Sequence, residues 1–148
     1  MSQARYPHLL APGRIGTMEL RNRIVVMAMG VSLAEEDGTV GDRALAYHEE
    51  QAKGGAGLII SGATGVAWPV AAVQKNQLAI SDDRFIPGLR RLAEAIHAHG
   101  AKFGVQLHQG GLVAAYSLRW GHPLWCPSLP HFDMNDEQIT DAFVESEL

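Results

Sequence analysis

Three short, largely apolar runs, each separated from the next by a helical pattern, constrain this chain more than any other feature. They are Ile24-Val25-Val26-Met27-Ala28-Met29, Leu58-Ile59-Ile60 and Lys102 to Gln106. A continuous run of β-branched and aliphatic residues is what a strand buried on both faces of a parallel sheet requires. Between the first two runs, Thr39 or Asp42 is placed to cap a helix through Ala44, Leu45, Tyr47 and Ala52, and Gly54-Gly55 stops it. Between the second and third, Phe85, Leu89, Leu92, Ala93 and Ile96 fall on one helical face. Pro87 is tolerable there only in the first turn, and Gly100 ends the pattern. Strand, helix, strand, helix, strand is a βα repeat, which right-handed crossovers make parallel. From pattern alone an open doubly wound sheet is the default. Its dinucleotide signature, Gly-x-Gly-x-x-Gly after the first strand, is missing at Met27 to Leu33.

The exits of the three runs share a chemistry. The first ends at Gly30, the second in Ser61-Gly62-Ala63-Thr64, and the third at Gln106, before Leu107-His108-Gln109-Gly110-Gly111. An amide at the end of a buried strand needs a partner, either a ligand or the loop that follows. Upstream, Leu9 to Gly13 reads as an extended lead-in, and Ile15, Met18 and Leu20 flank Gly16-Thr17 as a hairpin turn. Gly65 to Ile80 has no clear periodicity and is long enough to be a functional loop. Gly110 to Asn135, with Pro123, Pro127 and Pro130, reads mostly as loop, and Asp136 to Glu147 as an amphipathic helix with Ile139 and Phe143 facing in.

Composition excludes several functions. The 148 residues suit one domain, and a hydrophobic share of 47% can supply a core. Twelve basic and 16 acidic residues, scattered without runs, give a net charge of −4 and no footprint for nucleic acid or an anionic membrane. Cys126, the lone cysteine, forms no internal disulfide and reads as a packed, inert thiol, in keeping with a reducing compartment. The N-terminus lacks an apolar signal core, and Ile24 to Val31 is too short to span a bilayer. These features point to a cytoplasmic protein.

Three segments carry a family resemblance: Leu20-Arg21-Asn22-Arg23-Ile24-Val25, Tyr47-His48-Glu49-Glu50-Gln51-Ala52-Lys53-Gly54-Gly55-Ala56-Gly57-Leu58-Ile59, and Gln106-Leu107-His108-Gln109-Gly110-Gly111. In this order and spacing the chain, from about Tyr6 to Pro130, resembles the old yellow enzyme family of FMN-dependent oxidoreductases. The likeness is greatest to its larger branch, with 2,4-dienoyl-CoA reductase and trimethylamine dehydrogenase. The resemblance implies an α/β fold, a (β/α)8 TIM barrel, of which this chain supplies an N-terminal hairpin and about three βα units. It implies that Met27, Ala28, Met29 and Gly30 run along the flavin, that Gly62 and Ala63 follow the second strand beside it, and that Gln106 meets its pyrimidine edge. Core packing is the plainer role for the methionines. NAD(P)H would be the reductant and an activated alkene, an enone or enoyl thioester, the substrate. In the larger branch a 4Fe-4S cluster is held by a later four-cysteine motif.

The chain departs from the family pattern in its third motif, where Gln109 stands for the usual histidine and Leu112 for the usual arginine, with His108 one place early. Ser32 occupies the position of an active-site tyrosine in some smaller members. By the same resemblance the substrate-binding histidine pair or His/Asn pair and the phosphate site would both follow later strands, so residues 1–148 read as the incomplete N-terminal part of a single FMN-binding barrel domain. Alone, they are expected to leave Leu58, Ile59, Ile60, Val105 and Leu107 without the neighbours that bury them, and to self-associate. A non-catalytic assembly module is the competing function. A phosphate-binding aldolase barrel is a weaker one, since Lys102 lies at the wrong end of its strand.

Overall fold

The computed structural model describes residues 5–127. After a single helical turn, α1 (Pro7–Leu10), the chain makes the antiparallel hairpin β1 (Gly13–Ile15) and β2 (Met18–Leu20). Gly16 turns it with φ +58°, a left-handed conformation that glycine adopts without strain. The extended lead-in to this hairpin is therefore shorter than its sequence suggests, because Pro7 pre-sets the first turn of α1.

The main sheet is parallel. Strand β4 (Leu58–Gly65) lies at its centre, with β3 (Val25–Val26) on one edge and β6 (Lys102–His108) on the other. Helices α2 (Asp42–Lys53) and α3 (Ile86–Ala98) make the two crossovers and pack on the same face of the sheet. There Ala52, Ala56, Ile59, Leu92, Ile96 and Ala101 form the core, with Val26, Leu45 and Phe103 against it. Neither Thr39 nor Asp42 caps α2. Gly41 is its N-cap, and Asp42 sits in the first turn, where its charge faces the helix N-terminus. Thr39 instead bonds Asp37 through its backbone N–H (3.0 Å) and hydroxyl (2.6 Å). Asp82 caps a 3-10 turn (Asp83–Phe85) that leads into α3, with Pro87 in the helix's first turn.

The collar Arg21-Asn22 ties the starts of the strands to the ends of the helices. The Arg21 guanidinium donates to the carbonyls of Ala52 (2.9 Å), Ala56 (2.8 Å) and His99, closing the C-termini of both helices. Asn22 donates from Nδ2 to Gly55 O (2.7 Å) and accepts from Ile24 N–H (3.1 Å). Gly57 packs so closely on Asn22 that a Cβ there would lie 2.7 Å from its carbonyl oxygen.

The apolar runs and the strands do not coincide. The run Ile24–Met29 is strand only at Val25–Val26. Beyond that point β4 bulges, and a short strand β5 (Leu78–Ala79) pairs with Thr64 and Gly65. There β6 holds one edge of β4 and β5 the other, while the first run has already left the ladder at Ile59, just before the bulge. β4 itself continues to Gly65, and β6 passes Gln106 to end at His108. The segment Gly110 to Asn135, read as mostly loop, contains a 3-10 turn (Gly111–Val113) and α4 (Ala115–Arg119). The helix expected over Asp136 to Glu147 lies outside the described residues. Leu58 and Ile59 are buried at 6% and 0% exposure, contrary to expectation, Ile59 against the chain's own helices, whereas Leu107 is exposed.

Candidate functional site

The C-terminal half of β4 organises the site. A Cβ added to Gly62 would lie 2.2 Å from the carbonyl oxygen of Met29 and 3.3 Å from Gly30 Cα, so the segment leaving β3 lies directly on this glycine. Ala63 stands in register with Gln106 of β6. Met27 to Gly30, Gly62, Ala63 and Gln106 thus converge on one end of the sheet, the C-terminal end of its strands. Met27 and Met29 are exposed there (64% and 62%), as is Gln106. For Met27 and Met29 this excludes core packing among the described residues.

The loop Gly65 to Ile80 supplies the outer wall. Asn76, with φ +55°, donates from Nδ2 to Ala34 O (2.6 Å), and Ala34 N–H donates back to Asn76 O (3.0 Å). Gln74 lies so close to Gly30 that a Cβ on that glycine would meet its amide at 2.8 Å. Gln77, buried at 2% exposure, accepts from Val73 N–H (3.0 Å) and braces the loop from within. Sequence reading missed these three residues; the polar run Gln74-Lys75-Asn76-Gln77 inside an otherwise apolar loop was the available signal. Ser32, at φ +50° and exposed, sits in the same segment after β3.

Behind the segment Met29–Ala34 lies a cavity of about 20 Å³, lined among others by Ser32, His48, Gly62, Ala63 and Gln74. That is room for one water and not for a flavin ring. His48 is buried in α2, donates from Nδ1–H to Ala44 O (2.8 Å), and is held by desolvation below its usual pKa, the carbonyl partly opposing this. A much larger cavity, about 920 Å³, opens at the opposite end of the strands between the hairpin and Val25, lined by Arg14, Glu19 and Arg23. It is remote from the convergence described above.

An FMN ring suits the open face instead: two exposed thioethers, a small alanine beside the amide, and an amide offering both donor and acceptor, with Gly62 buried beneath the Met29 carbonyl. Of the departures in the third motif, Gln109 turns back to accept from Gly111 N–H (3.3 Å), and Leu112 lies in the following 3-10 turn. His108 is half-buried at the end of β6, its Nδ1 without a partner. Cys126 is half-buried. Among the described residues no helix is long and apolar enough to cross a membrane.

Residues 8–147 match the sequence profile of the NADH:flavin oxidoreductase / NADH oxidase family. The chain belongs to that family. It is 42% identical over 106 residues to an NADH oxidase of Thermoanaerobacter brockii, spanning 72% of this chain and 16% of that protein. Its fold matches an Old Yellow Enzyme from Pichia sp. with a TM-score of 0.77 and 27% identity, over 95% of this chain and 36% of that one. It also matches a 2-naphthoyl-CoA reductase in complex with 2-naphthoyl-CoA, with a TM-score of 0.70 and 30% identity, over 73% of this chain and 16% of that one. The described strands and helices are therefore part of a (β/α)8 barrel, and the chain spans between a sixth and about a third of these relatives. In such a barrel catalytic groups collect at the C-terminal ends of the strands, where Met27–Gly30, Gly62, Ala63 and Gln106 meet.

Proposed function

We propose that residues 1–148 form the N-terminal part of a single FMN-binding barrel domain. In its complete form this protein transfers hydride from NAD(P)H through the flavin to an activated alkene such as an enone or enoyl thioester. The observation that carries this reading is the meeting of three strand exits, Met29 on Gly62 and Ala63 beside Gln106. Bound FMN would supply a centre that accepts hydride from a nicotinamide and gives it up to an electron-poor carbon. The chain's own residues bind and orient. The Gln106 amide presents both donor and acceptor to a pyrimidine edge, the backbone from Met27 to Gly30 runs along the ring, Gly62 lets that backbone lie against β4, and the small Ala63 stands beside Gln106. The thioethers of Met27 and Met29 keep water from one side.

The likeness to an NADH oxidase supports the nicotinamide donor, and the likeness to a reductase that binds 2-naphthoyl-CoA supports an unsaturated thioester acceptor. A 4Fe-4S cluster belongs to the proposal through the larger branch alone. Among the described residues no group of three His, Cys, Asp or Glu is placed to hold a metal. The partners are small molecules, in a cytoplasmic protein free to self-associate.

The test is Gln106→Ala in the complete barrel. Loss of the amide leaves a flavin edge short of partners, which weakens FMN binding by roughly 1–3 kcal/mol and shifts the flavin potential. Wild-type affinity and potential in the variant would remove Gln106 from the site.

A further inference from the structure

Strand β4 carries one residue more than the strand beside it. Ile60 pairs with Gly104 and Ala63 with Gln106, so three steps along β4 match two along β6, and Ser61 and Gly62 have no partner in the ladder. Such a bulge leaves backbone groups to be satisfied by other means. Here two side chains do so. Ser61 and Thr64 are both buried at 0% exposure, and their hydroxyls lie 3.1 Å apart. Each reaches the Gly62 carbonyl, at 3.1 and 3.0 Å, and Ser61 Oγ accepts from the Gln106 N–H at 3.4 Å. A hydroxyl without a partner at such depth would be costly, and alanine or valine would fill an ordinary strand as well. The pair is accounted for by the bulge.

The bulge in turn sets the site. Side chains alternate along a strand, so one extra residue reverses the phase of everything after it. Without it Gly62, not Ala63, would stand beside Gln106, and the glycine would no longer meet the Met29 carbonyl. We infer that Ser61 and Thr64 are positioning residues: buried beneath the flavin face, they lock the bulge that holds Ala63, Gln106 and the Met29–Gly30 segment in their mutual arrangement. This rests on the FMN-binding reading above.

The experiment compares Ser61→Ala, Thr64→Val, their combination and Thr64→Ser in the complete barrel. It reads FMN dissociation, the visible flavin spectrum and hydrogen exchange at the Gln106 amide in the flavin-free protein. Loss of both hydroxyls should weaken FMN binding by about tenfold or more, alter the flavin band shape and speed exchange at Gln106. Thr64→Ser, which keeps the hydroxyl, should retain wild-type binding and spectrum. A double variant that melts lower yet binds FMN with wild-type affinity and spectrum would reduce the pair to a stabilising role and overturn the inference. So would Thr64→Ser behaving like Thr64→Val. Should the double variant fail to fold, Ser61→Ala alone is read by the same criteria. Should the wild-type barrel hold no flavin, the FMN reading fails by itself. Exchange at Gln106 then decides: faster exchange in Ser61→Ala supports the lock, and unchanged exchange refutes it.

Discussion

Replacing Gly62 by alanine puts a methyl group where the chain after β3 already lies. The new carbon would sit 2.2 Å from Met29 O, 2.8 Å from Met29 C and 3.3 Å from Gly30 Cα, all backbone atoms that no rotamer change can move. Restoring ordinary contact requires the Met29–Gly30 segment to retreat by roughly 1 Å. Overpacking of this kind costs about 1–3 kcal/mol. The retreat is outward, into the face proposed for the flavin, so binding FMN has to push the segment back against that strain. FMN affinity should therefore fall by roughly tenfold to a hundredfold, since about 1.4 kcal/mol corresponds to a factor of ten. Gly104→Ala is the matched control, because its Cβ would meet only Ile60 Cγ1, at an ordinary 3.8 Å. Urea unfolding measures the strain, and quenching of FMN fluorescence on titration measures the affinity. If Gly62→Ala matches Gly104→Ala in both, the close approach of Met29 is not a constraint on the site and the reasoning fails.

Arg21→Ala leaves the carbonyls of Ala52, Ala56 and His99 without their shared donor and should lower stability to urea by about 1–3 kcal/mol; Arg21→Lys, lacking the planar fork, should not restore it. His48 titrates below its ordinary 6.5 in the folded protein because burial disfavours its cation. Its contribution to stability is therefore complete above pH 6.5 and is lost as the pH falls from there through the lowered folded value, where the unfolded chain binds the proton first. His48→Gln should flatten the urea midpoint against pH in that window, and an unchanged slope would assign it to other groups. Residues 1–148 expressed alone should show no flavin absorbance after purification and should self-associate through the exposed Met27, Met29 and Leu107, as size-exclusion chromatography would reveal. A monomer with stoichiometric FMN would contradict this.

Periodicity revealed α2 and α3 because each buries a single stripe of residues, and a stripe at helical spacing is a local property of the chain. The hairpin was legible for a similar reason, since Gly16 supplies the turn its neighbours require. Strand limits were not legible. An apolar run marks a candidate strand, yet Met27 to Met29 is apolar without being paired, because whether a residue enters a ladder depends on the path of the partner strand. The run leaves the ladder after Val26 pairs with Ile59, where β4 enters its bulge, and the edge beyond the bulge is held by β5 at Leu78–Ala79, two residues inside a loop with no period. Length was misread in the other direction at Gln106, which pairs within β6 and does not end it.

The sequence by itself determined the βα order, the parallel sheet and the residue types at each strand exit, since all of these are carried by composition and spacing along the chain; the family came through the likeness of three motifs to known members. Only the tertiary structure decided that Ala63 stands beside Gln106, that Met29 rests on Gly62 and that Gln74 lies against Gly30. These contacts depend on a one-residue bulge held by two buried hydroxyls. Ser61 and Thr64 leave no periodic trace in the sequence, because a bulge changes which face a residue meets without changing the residues that make it.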